Sequence, residues 1–486
     1  MRSKTIMKVT TINKCNKLLH ALMACLLLSI TFSVGYCQAA AATDTETRLK
    51  HSRAFESIIW SVPLMNYKAI RDGLKKGAGV GYGDVAYHSK IQSWKFEIPT
   101  GNAVPYVLAY WTLKDGPLVI EIPKETKDVS LFGVMMDSWQ RPIGDVGGRG
   151  RDSGMGAKYL LLPPNYRGDL PEGHLVLKQK TYEGYFLLRP LTADNSAASM
   201  KKQADWAKQI KIYPLAKSDK PPKTKHIDAY GKRVHAIVDY DASYFEGLHE
   251  ILGQEYLEEK DLAILGILES IGIRKDAPFK ADKADMKIFA AAAKEAHAYL
   301  RDGFLAKLGP VFYKGKKWFS LNLPGSVTTE FSYVHPTYVD LDTRAAMYFG
   351  VFSSAERLGA ATYYLLSSKD SAGKWLDGGE NYKLNVPANV PVSQFWSVIA
   401  HDNETASWIT DIPEGKEMVG SLTEGLKKNK DGSVDVYFGP KAPKGESVNW
   451  LPTVKGKRFF LLFRFYGTKP AVFDQSWQLN DVEKVK

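Results

Sequence analysis

The chain has 486 residues, of which 24% are charged and 44% hydrophobic, and its formal net charge is +12. A chain of this length exceeds what one hydrophobic core organises, so we expect two or three domains, and the hydrophobic content excludes an intrinsically disordered protein. The basic clusters lack interleaved aromatic residues and a recognisable binding motif, which argues against a nucleic-acid-binding protein.

Residues 1–42 have the pattern of a secretory signal peptide. Basic residues are frequent at the start, residues 18–34 are mostly apolar, and the small-residue run Ala39–Ala42 follows. A basic start, an apolar middle and a small-residue exit suit signal peptidase. A retained membrane anchor is the alternative, but polar residues interrupt the apolar stretch, which is marginal for a span. We therefore expect an exported protein, periplasmic or secreted, without a transmembrane span in the mature chain.

The cysteines support the same picture. All three, Cys15, Cys25 and Cys37, lie within the predicted signal segment. The mature chain is therefore expected to contain no disulfide, no cysteine nucleophile and no thiolate metal site.

After the signal segment, apolar residues at helical spacing predict a helix that Pro63 bends or divides. From Trp94 to about Pro190, short strands such as "PLVIEI", "LFGVMM" and "YFLLRP" alternate with Gly, Pro and Asp turns. Short strands at near-regular spacing favour a β-sandwich. Residues 200–213 then predict a short amphipathic helix.

Residues 243–305 predict a small helical unit, which opens with the capping-box sequence "SYFE" at Ser243–Glu246. Strands return after Phe312, among them "FWSVIA", "SVDVYF" and "RFFLLFRFY", with one helix at 342–358 between them. A second sheet domain, a sandwich or jelly roll, fits this pattern best.

The most concentrated group of polar residues is in "MMDSWQRPIGDVGGRGRDSG", where Asp137, Arg141 and Asp145 surround Trp139 on a turn that leaves an apolar strand. Polar groups in a loop on a rigid sheet can build a functional site. The alternative is structural: the carboxylates accept backbone N–H bonds in Gly-rich turns while Arg141 pairs with one of them. Both interpretations stay open, and the structural one is preferred.

A second polar set lies in the C-terminal half. Asp340, Asp342 and Arg344 occur together in "YVDLDTR". The two aspartates could ligate a hard cation such as calcium, but Asp342 as the cap of the following helix is the preferred interpretation. His401 and Asp402 are neighbours at a strand end, so their side chains should face opposite sides and not form a ready acid–base pair.

The order of these segments resembles two bacterial families that occur as a pair. In the C-terminal half "LDGGENYKLNVPANVPVSQFWSV", "NKDGSVDVYFGPKAP", "NWLP" and "FRFYG" resemble the domain of unknown function 1214. In the N-terminal half "DGPLVIEIP", "SLFGVMMDSWQRPIGDVG" and "TYEGYFLLRP" resemble the domain of unknown function 1254. The resemblance implies an immunoglobulin-like sandwich, a helical insert and a jelly-roll-like domain, usually in exported proteins. It implies no settled activity.

The chain departs from the family pattern at two places. The segment "GNAVPY" keeps Asn102 and Tyr106 but lacks the Asp and Thr that family members often carry there. His401 stands where a tyrosine is usual, so a role tied to either position is in doubt.

We therefore predict a mainly β protein with a helical insert. The predicted units are a signal peptide at 1–42, an N-terminal helix with an immunoglobulin-like β-sandwich at 43–235, a small α-helical domain at 236–310 and a jelly-roll-like β-sandwich at 311–486.

Two functions stay open. The first is an exported cell-envelope protein of unsettled activity that binds a polar ligand such as a carbohydrate, and its ligand-binding candidates are Trp139, Arg141, Asp340, Arg344, Trp396 and Trp450. The second is a hydrolase with an acidic or histidine site between the two β domains, using Asp137, Asp145 or His401. An enzyme needs at least two such groups to converge on one pocket. No metal site is predicted, no cofactor is identified, and a homo-oligomer stays open.

Overall fold

The computed structural model describes residue 23 and residues 44–101, 105–307, 311–320, 332–351 and 362–485. The predicted signal segment, including its three cysteines, lies outside the described residues apart from residue 23. Asn102 of the divergent segment also lies outside them.

Helices occur along most of the described chain. They are α1 (44–78), α2 (Ala197–Ala207), α3 (Ser243–Gln254), α4 (Leu262–Glu269), α5 (Lys283–Lys307), α6 (Leu341–Gly350) and α7 (Pro470–Phe473). Helix α1 continues through Pro63, so the helix is not divided there, and the alternative, a bend, stays a prediction. A proline removes one backbone hydrogen bond, but Ile59, Val62 and Leu64 around it are fully buried and their packing holds the helix together.

The N-terminal half forms a two-layer β-sandwich. Its strands are β1 (Val85–Tyr87), β2 (Phe96–Glu97), β3 (Val107–Thr112), β4 (Leu118–Ile122), β5 (Ser130–Asp137), β6 (Pro142–Gly147), β7 (Ala157–Leu162), β8 (Leu175–Lys178), β9 (Glu183–Leu191), β10 (Lys211–Pro214), β11 (His226–Asp228) and β12 (Val234–His235). A six-stranded sheet has the order β11-β1-β3-β9-β5-β6 and a four-stranded sheet the order β10-β4-β7-β8, while β12 and β2 pair separately.

Strand β3 shows how the sequence builds this layer. Val107, Ala109 and Trp111 pack into the core between the two sheets, whereas Leu108 and Tyr110 pack on the opposite face, against helices. Because alternate residues of a strand point to opposite faces, a strand that is apolar on both faces must be covered on both. The six-stranded sheet is therefore an inner layer of the molecule.

The C-terminal half forms a second sandwich. Its strands are β13 (Phe319–Ser320), β14 (Thr362–Ser367), β15 (Asn381–Val386), β16 (Trp396–Asp402), β17 (Val419–Gly420), β18 (Val434–Gly439), β19 (Trp450–Pro452), β20 (Phe459–Tyr466) and β21 (Val482–Val485). A five-stranded sheet has the order β13-β14-β20-β16-β17 and a four-stranded sheet the order β19-β18-β15-β21. The two-sandwich architecture with helices confirms the predicted fold class.

A helical layer packs against both sandwiches. One continuous core contains residues of α1, α3, α5 and α6, together with Tyr185 and Leu187 of the first sandwich and Leu462 and Tyr466 of the second. Helices α1 and α6 thus join the helical core although they lie outside the predicted helical unit 236–310. Because these helices pack on one face of each sandwich, they set how the two sandwiches are oriented relative to each other.

Two local predictions are wrong. The predicted helix 200–213 ends at Ala207, and Lys211–Pro214 instead forms β10 beside β4. The predicted capping box, with Ser243 as the cap, does not form. Instead, Asp241 Oδ1 accepts hydrogen bonds from the backbone N–H of Ser243 (2.8 Å) and from its hydroxyl (2.6 Å). Ser243 is consequently the first helical residue rather than the cap.

Candidate functional site

The turn between β5 and β6 is organised by Asp137. Its Oδ1 accepts backbone N–H bonds from Trp139 (2.9 Å) and Arg141 (3.0 Å), and its Oδ2 accepts the Arg141 Nε–H (2.6 Å). Asp137 is buried, so these charge-assisted bonds hold the turn in one geometry. These contacts match the structural interpretation of the turn, in which a carboxylate accepts backbone N–H bonds and pairs with Arg141.

Arg141 extends this turn to the helical layer. Its Nη1 lies 2.5 Å from Glu258 Oε1, just before α4, while its Nη2 has no hydrogen-bond partner although it is buried. One guanidinium thus bridges a carboxylate of the sandwich and a carboxylate of the helical layer.

Trp139 packs between the same two layers. Its ring centroid lies 4.8 Å from that of Trp60 in α1, and the Arg344 guanidinium carbon lies 5.3 Å from it. The residue is only 7% exposed. A sugar could stack on this ring only after displacing those contacts, so the role of Trp139 in ligand binding stays a prediction.

Arg344 is buried at the start of α6. Its Nη2 donates to the Trp60 carbonyl oxygen (2.6 Å), its Nε has no partner, and burial lowers its pKa to about 10. Asp340 caps α6 by accepting the Thr343 N–H (3.1 Å), so the cap is Asp340 and not the predicted Asp342. The structure therefore brings Asp137, Trp139, Arg141 and Arg344 together, as a junction between layers.

The remaining tryptophan and carboxylate candidates lie elsewhere. Trp396 is buried inside the second sandwich and stacks on Phe463, with ring centroids 5.4 Å apart. Trp450 lies on the edge strand β19, where its indole N–H donates to the Gly439 carbonyl (3.0 Å). Asp145 lies on β6 opposite Val134 and is buried. Asp145 thus belongs to the first sandwich, and the two tryptophans lie on different sheets of the second.

His401 lies on the face of β16 that is turned towards the first sandwich. Its ring stacks on Phe460 at 5.2 Å, and its Nε2 lies 3.2 Å from the Gly101 carbonyl oxygen. Burial, with a contribution from Arg464, lowers its pKa to about 3. The neighbouring Asp402 instead pairs with Lys457 at 2.6 Å, as expected for adjacent residues of a strand.

Arg464 projects from the middle of β20 towards the first sandwich. It lies opposite Tyr364 of β14, its guanidinium carbon is 5.6 Å from that ring centroid, and it is 2% exposed. Its Nη2 donates to the carbonyl oxygens of Thr100 (3.0 Å) and Gly101 (3.1 Å). Its Nε and Nη1 have no hydrogen-bond partner, which is unusual for a buried guanidinium.

Arg189 projects from the facing sheet of the first sandwich. It follows the last core residues of β9, and its guanidinium carbon lies 5.2 Å from the Tyr106 ring centroid and 5.3 Å from that of Phe132. The residue is 8% exposed and its Nε has no hydrogen-bond partner. Two opposed sheets thus each place one arginine at the interface of the sandwiches.

Tyr364 interacts electrostatically with both arginines. Burial alone would raise its pKa, but the positive charges of Arg189 and Arg464, with hydrogen bonds to Thr362 and Tyr466, outweigh burial and lower the pKa. Arg189 also interacts electrostatically with Tyr106 and Tyr466. We call these five residues the arginine–tyrosine cluster. Within the described ranges, no ion pair joins either arginine to a carboxylate.

Sequence reasoning missed this cluster although a signal was present. The segments "YFLLRP" and "RFFLLFRFY" predict strands, and neither is among the predicted site segments. Each contains an arginine flanked by apolar residues, at Arg189 and Arg464. A charged residue in the interior of an apolar strand requires a partner and is therefore a site candidate.

A further buried charge network joins α1 to β9. Glu183 accepts hydrogen bonds from Tyr67 (3.0 Å), Arg71 (2.9 Å) and Tyr82. Beside it, Glu255 accepts the backbone N–H of Glu183 at 3.0 Å. Burial and the charge of Glu183 raise the pKa of Glu255 to about 7. These contacts attach the end of α3 to the first sandwich.

The fold and these contacts define a class: two β-sandwiches bridged by a helical layer. A family model described as "Protein of unknown function (DUF1254)" matches residues 90–214, and another, "Protein of unknown function (DUF1214)", matches residues 361–470. Models of both families thus match this chain, each over about a quarter of its length, which confirms the resemblance seen in the sequence. No helix in the described ranges is long and apolar enough to span a bilayer.

Two solved structures are similar to this chain, and the first supports its fold. The crystal structure of the VPA0106 protein from Vibrio parahaemolyticus is 17% identical, covers 90% of this chain and 100% of its own, and superposes with a TM-score of 0.53. A putative uncharacterized protein from Burkholderia cenocepacia is 13% identical, covers 92% of this chain and 97% of its own, with a TM-score of 0.40. No curated protein matches the chain. The first of these likenesses supports the fold alone.

Proposed function

We propose that the protein is an exported cell-envelope protein that binds a small polar ligand through an anionic group held between its two β-sandwiches. The observation that carries this proposal is that Arg189 and Arg464 are both buried, both have unpartnered N–H groups and both act electrostatically on Tyr364.

Charge balance favours an anion beside these two arginines. A buried ion without a counter-charge costs several kcal/mol, and removing one partner of a buried pair typically destabilises a protein by about 3–5 kcal/mol. Guanidinium groups present parallel N–H donors that match carboxylate, sulfate and phosphate oxygens. An anion between the two arginines would supply the missing acceptors and neutralise the charge.

The tyrosines suggest what else the ligand carries. Tyr106, Tyr364 and Tyr466 bring ring faces and hydroxyl groups to the same place as the two guanidinium groups. Rings and hydroxyls suit an apolar or hydroxylated body next to the anionic group. An acidic sugar combines both features, which is how the expected carbohydrate ligand would be accommodated here.

Export rests on the signal pattern of residues 1–42. Fractionation of the expressing bacterium, followed by N-terminal sequencing of the protein, tests it. We expect a mature chain in the periplasm or medium that begins near residue 43, and a full-length chain in the membrane or cytoplasm would contradict it.

The hydrolase alternative needs two of Asp137, Asp145 and His401 in one pocket. Asp137 is engaged by Arg141, and the described contacts of His401 are made with Gly101, Phe460 and Trp408. No contact within the described part of the chain joins any two of the three candidates. We therefore do not propose hydrolysis.

Ligand binding is tested by isothermal titration calorimetry of the mature chain with glucuronate, citrate and inorganic phosphate, and with neutral glucose as the uncharged comparison. We expect at least one anion to bind and glucose not to bind. Arg464→Gln removes one charge from the cluster and should weaken anion binding at least about tenfold, the range of a buried charge-assisted hydrogen bond. Arg167→Gln is the matched control, because Arg167 is exposed on a loop.

Arg464→Gln could unfold the chain, so a thermal melt accompanies each titration, and Arg189→Gln provides a second variant from the opposite sheet. Arg464→Lys keeps the charge but loses the planar fork and should bind with intermediate affinity. The proposal is wrong if no anion binds, or if folded Arg464→Gln and Arg189→Gln bind as tightly as Arg167→Gln.

A further inference from the structure

A second cavity, away from the arginine–tyrosine cluster, has the opposite charge. A groove of about 1170 Å³ lies between the two sandwiches at their outer edge. One wall is formed by residues 89–93 and by α2, and the other by the segment 414–424 of the second sandwich. Its volume is slightly above the range of about 300–1,000 Å³ typical of small-molecule sites, and its two walls come from the two halves of the chain.

The groove is acidic although the chain as a whole is basic. Three lysines line it, Lys90, Lys201 and Lys208. Twice as many carboxylates line it: Asp194, Asp205, Asp228, Glu414, Glu417 and Glu424. Its walls therefore favour a positively charged occupant, and low-dielectric walls strengthen that preference.

Charge alone does not make a site, but two buried acceptors in this wall lack a partner. Glu417 is 7% exposed and its Oε1 accepts no hydrogen bond, whereas the carboxylate is otherwise oriented by the backbone N–H groups of Trp94 and Gly415. Gln92 is 2% exposed, and its Oε1 also has no partner. Buried acceptors without donors are rare and indicate a missing donor.

The tyrosines of the groove already hold ammonium groups. Lys90 Nζ lies 5.3 Å from the Tyr230 ring centroid, and Lys208 Nζ lies 5.2 Å from that of Tyr87. Cations are attracted to the faces of aromatic rings at these distances. Since lysines occupy these two ring faces, the carboxylates and the unpartnered carbonyl-type oxygens are the groups left to recognise an organic cation.

We propose that this groove binds a small organic cation with a primary ammonium or guanidinium group, which donates to Glu417 and Gln92. A polyamine and a basic dipeptide share this chemistry. The inference is independent of the anion site, because none of the five residues of the arginine–tyrosine cluster lines this groove.

The test titrates the mature chain with spermidine, with the dipeptide Lys-Ala and with a neutral polyol of similar size. We expect one of the two cations to bind with heat release, and the affinity to fall when the salt concentration is raised from about 20 mM to about 500 mM, since ions screen partly exposed charges. Spermidine and Lys-Ala distinguish a polyamine from a peptide source.

Two variants assign the binding to this groove. Glu417→Gln preserves the shape and removes the charge, and should weaken cation binding at least about tenfold. Glu424→Lys reverses the charge of an exposed rim residue without a buried contact and should weaken binding several-fold. Glu56→Gln, an exposed glutamate of α1, is the matched control and should bind like the unchanged protein.

The titrations of the unchanged protein and of the three variants decide whether the groove binds a cation. If neither cation binds the unchanged protein, or if Glu417→Gln and Glu424→Lys are folded and bind like Glu56→Gln, the proposal is overturned. Loss of binding in both groove variants, with anion binding at the arginine–tyrosine cluster unchanged, supports it.

Discussion

The ion pair between Asp137 and Arg141 makes the sharpest prediction about stability. In Asp137→Asn the retained Oδ1 can still accept the N–H groups of Trp139 and Arg141, but an amide group replaces the Oδ2 that receives the Arg141 Nε–H at 2.6 Å. The substitution therefore removes a buried charge and its best hydrogen bond while it leaves the backbone turn in place.

The expected magnitude follows from burial. Breaking a buried ion pair by removing one partner typically costs about 3–5 kcal/mol. Arg141 keeps Glu258 as a partner at 2.5 Å, so we expect the low end of that range, about 3 kcal/mol. Since Asp137 orients Arg141, which also holds Glu258 of the helical layer, the loss should appear in the unfolding of both.

Urea unfolding followed by tryptophan fluorescence measures this change, because Trp139 lies beside the pair. Asp169→Asn, an exposed loop aspartate, is the control and should change stability by no more than about 0.5 kcal/mol. The double variant Asp137→Asn with Arg141→Met gives the coupling energy between the two side chains. A loss below about 1 kcal/mol for Asp137→Asn, or no coupling, would show that the turn does not depend on the pair.

Three further predictions concern burial and pH. The pKa of Glu255 is raised to about 7, so between pH 4.5 and 7 the folded state holds a proton that the unfolded state releases. Raising the pH through this window should lower the free energy of unfolding of the unchanged protein by about 3 kcal/mol. In Glu255→Gln, the melting temperature should depend less on pH in the same window. The pKa of His401 is lowered to about 3, so below pH 6.5 the unfolded state takes up a proton that the folded state does not, and stability should fall. Urea unfolding at pH 4.5 should show a smaller fall in His401→Phe. In Gly184→Ala the new Cβ would lie 2.6 Å from the Met136 carbonyl oxygen and 2.9 Å from the Trp111 ring. We expect calorimetry to show that the free energy of unfolding falls by about 1–3 kcal/mol. An unchanged melting temperature would contradict the packing described for β9.

Much of the architecture follows from sequence patterns that are local. The short strands between Gly, Pro and Asp turns predicted both sandwiches, because alternation and turn residues act within a few positions. The helical layer was harder to delimit, since α1 and α6 join it through contacts between residues far apart in the chain. Helix α1 passes through Pro63 for the same reason: tertiary packing outweighs local propensity.

The candidate site was predictable only in part. Asp137, Trp139 and Arg141 are close in sequence, so their grouping was visible, whereas the approach of Arg344 depends on how α6 packs against α1. The arginine–tyrosine cluster pairs β9 with β20, strands from different sandwiches. A sequence shows each arginine inside an apolar strand, but it does not show that two such strands face each other.

The most direct test of the anion-binding proposal is a crystal of the mature chain soaked in selenate, with anomalous diffraction collected at the selenium edge. The account predicts an anomalous peak within hydrogen-bonding distance of both Arg189 and Arg464, which is absent in Arg464→Gln crystals. Guanidinium groups that are both paired with protein carboxylates, with no peak between them, would contradict it.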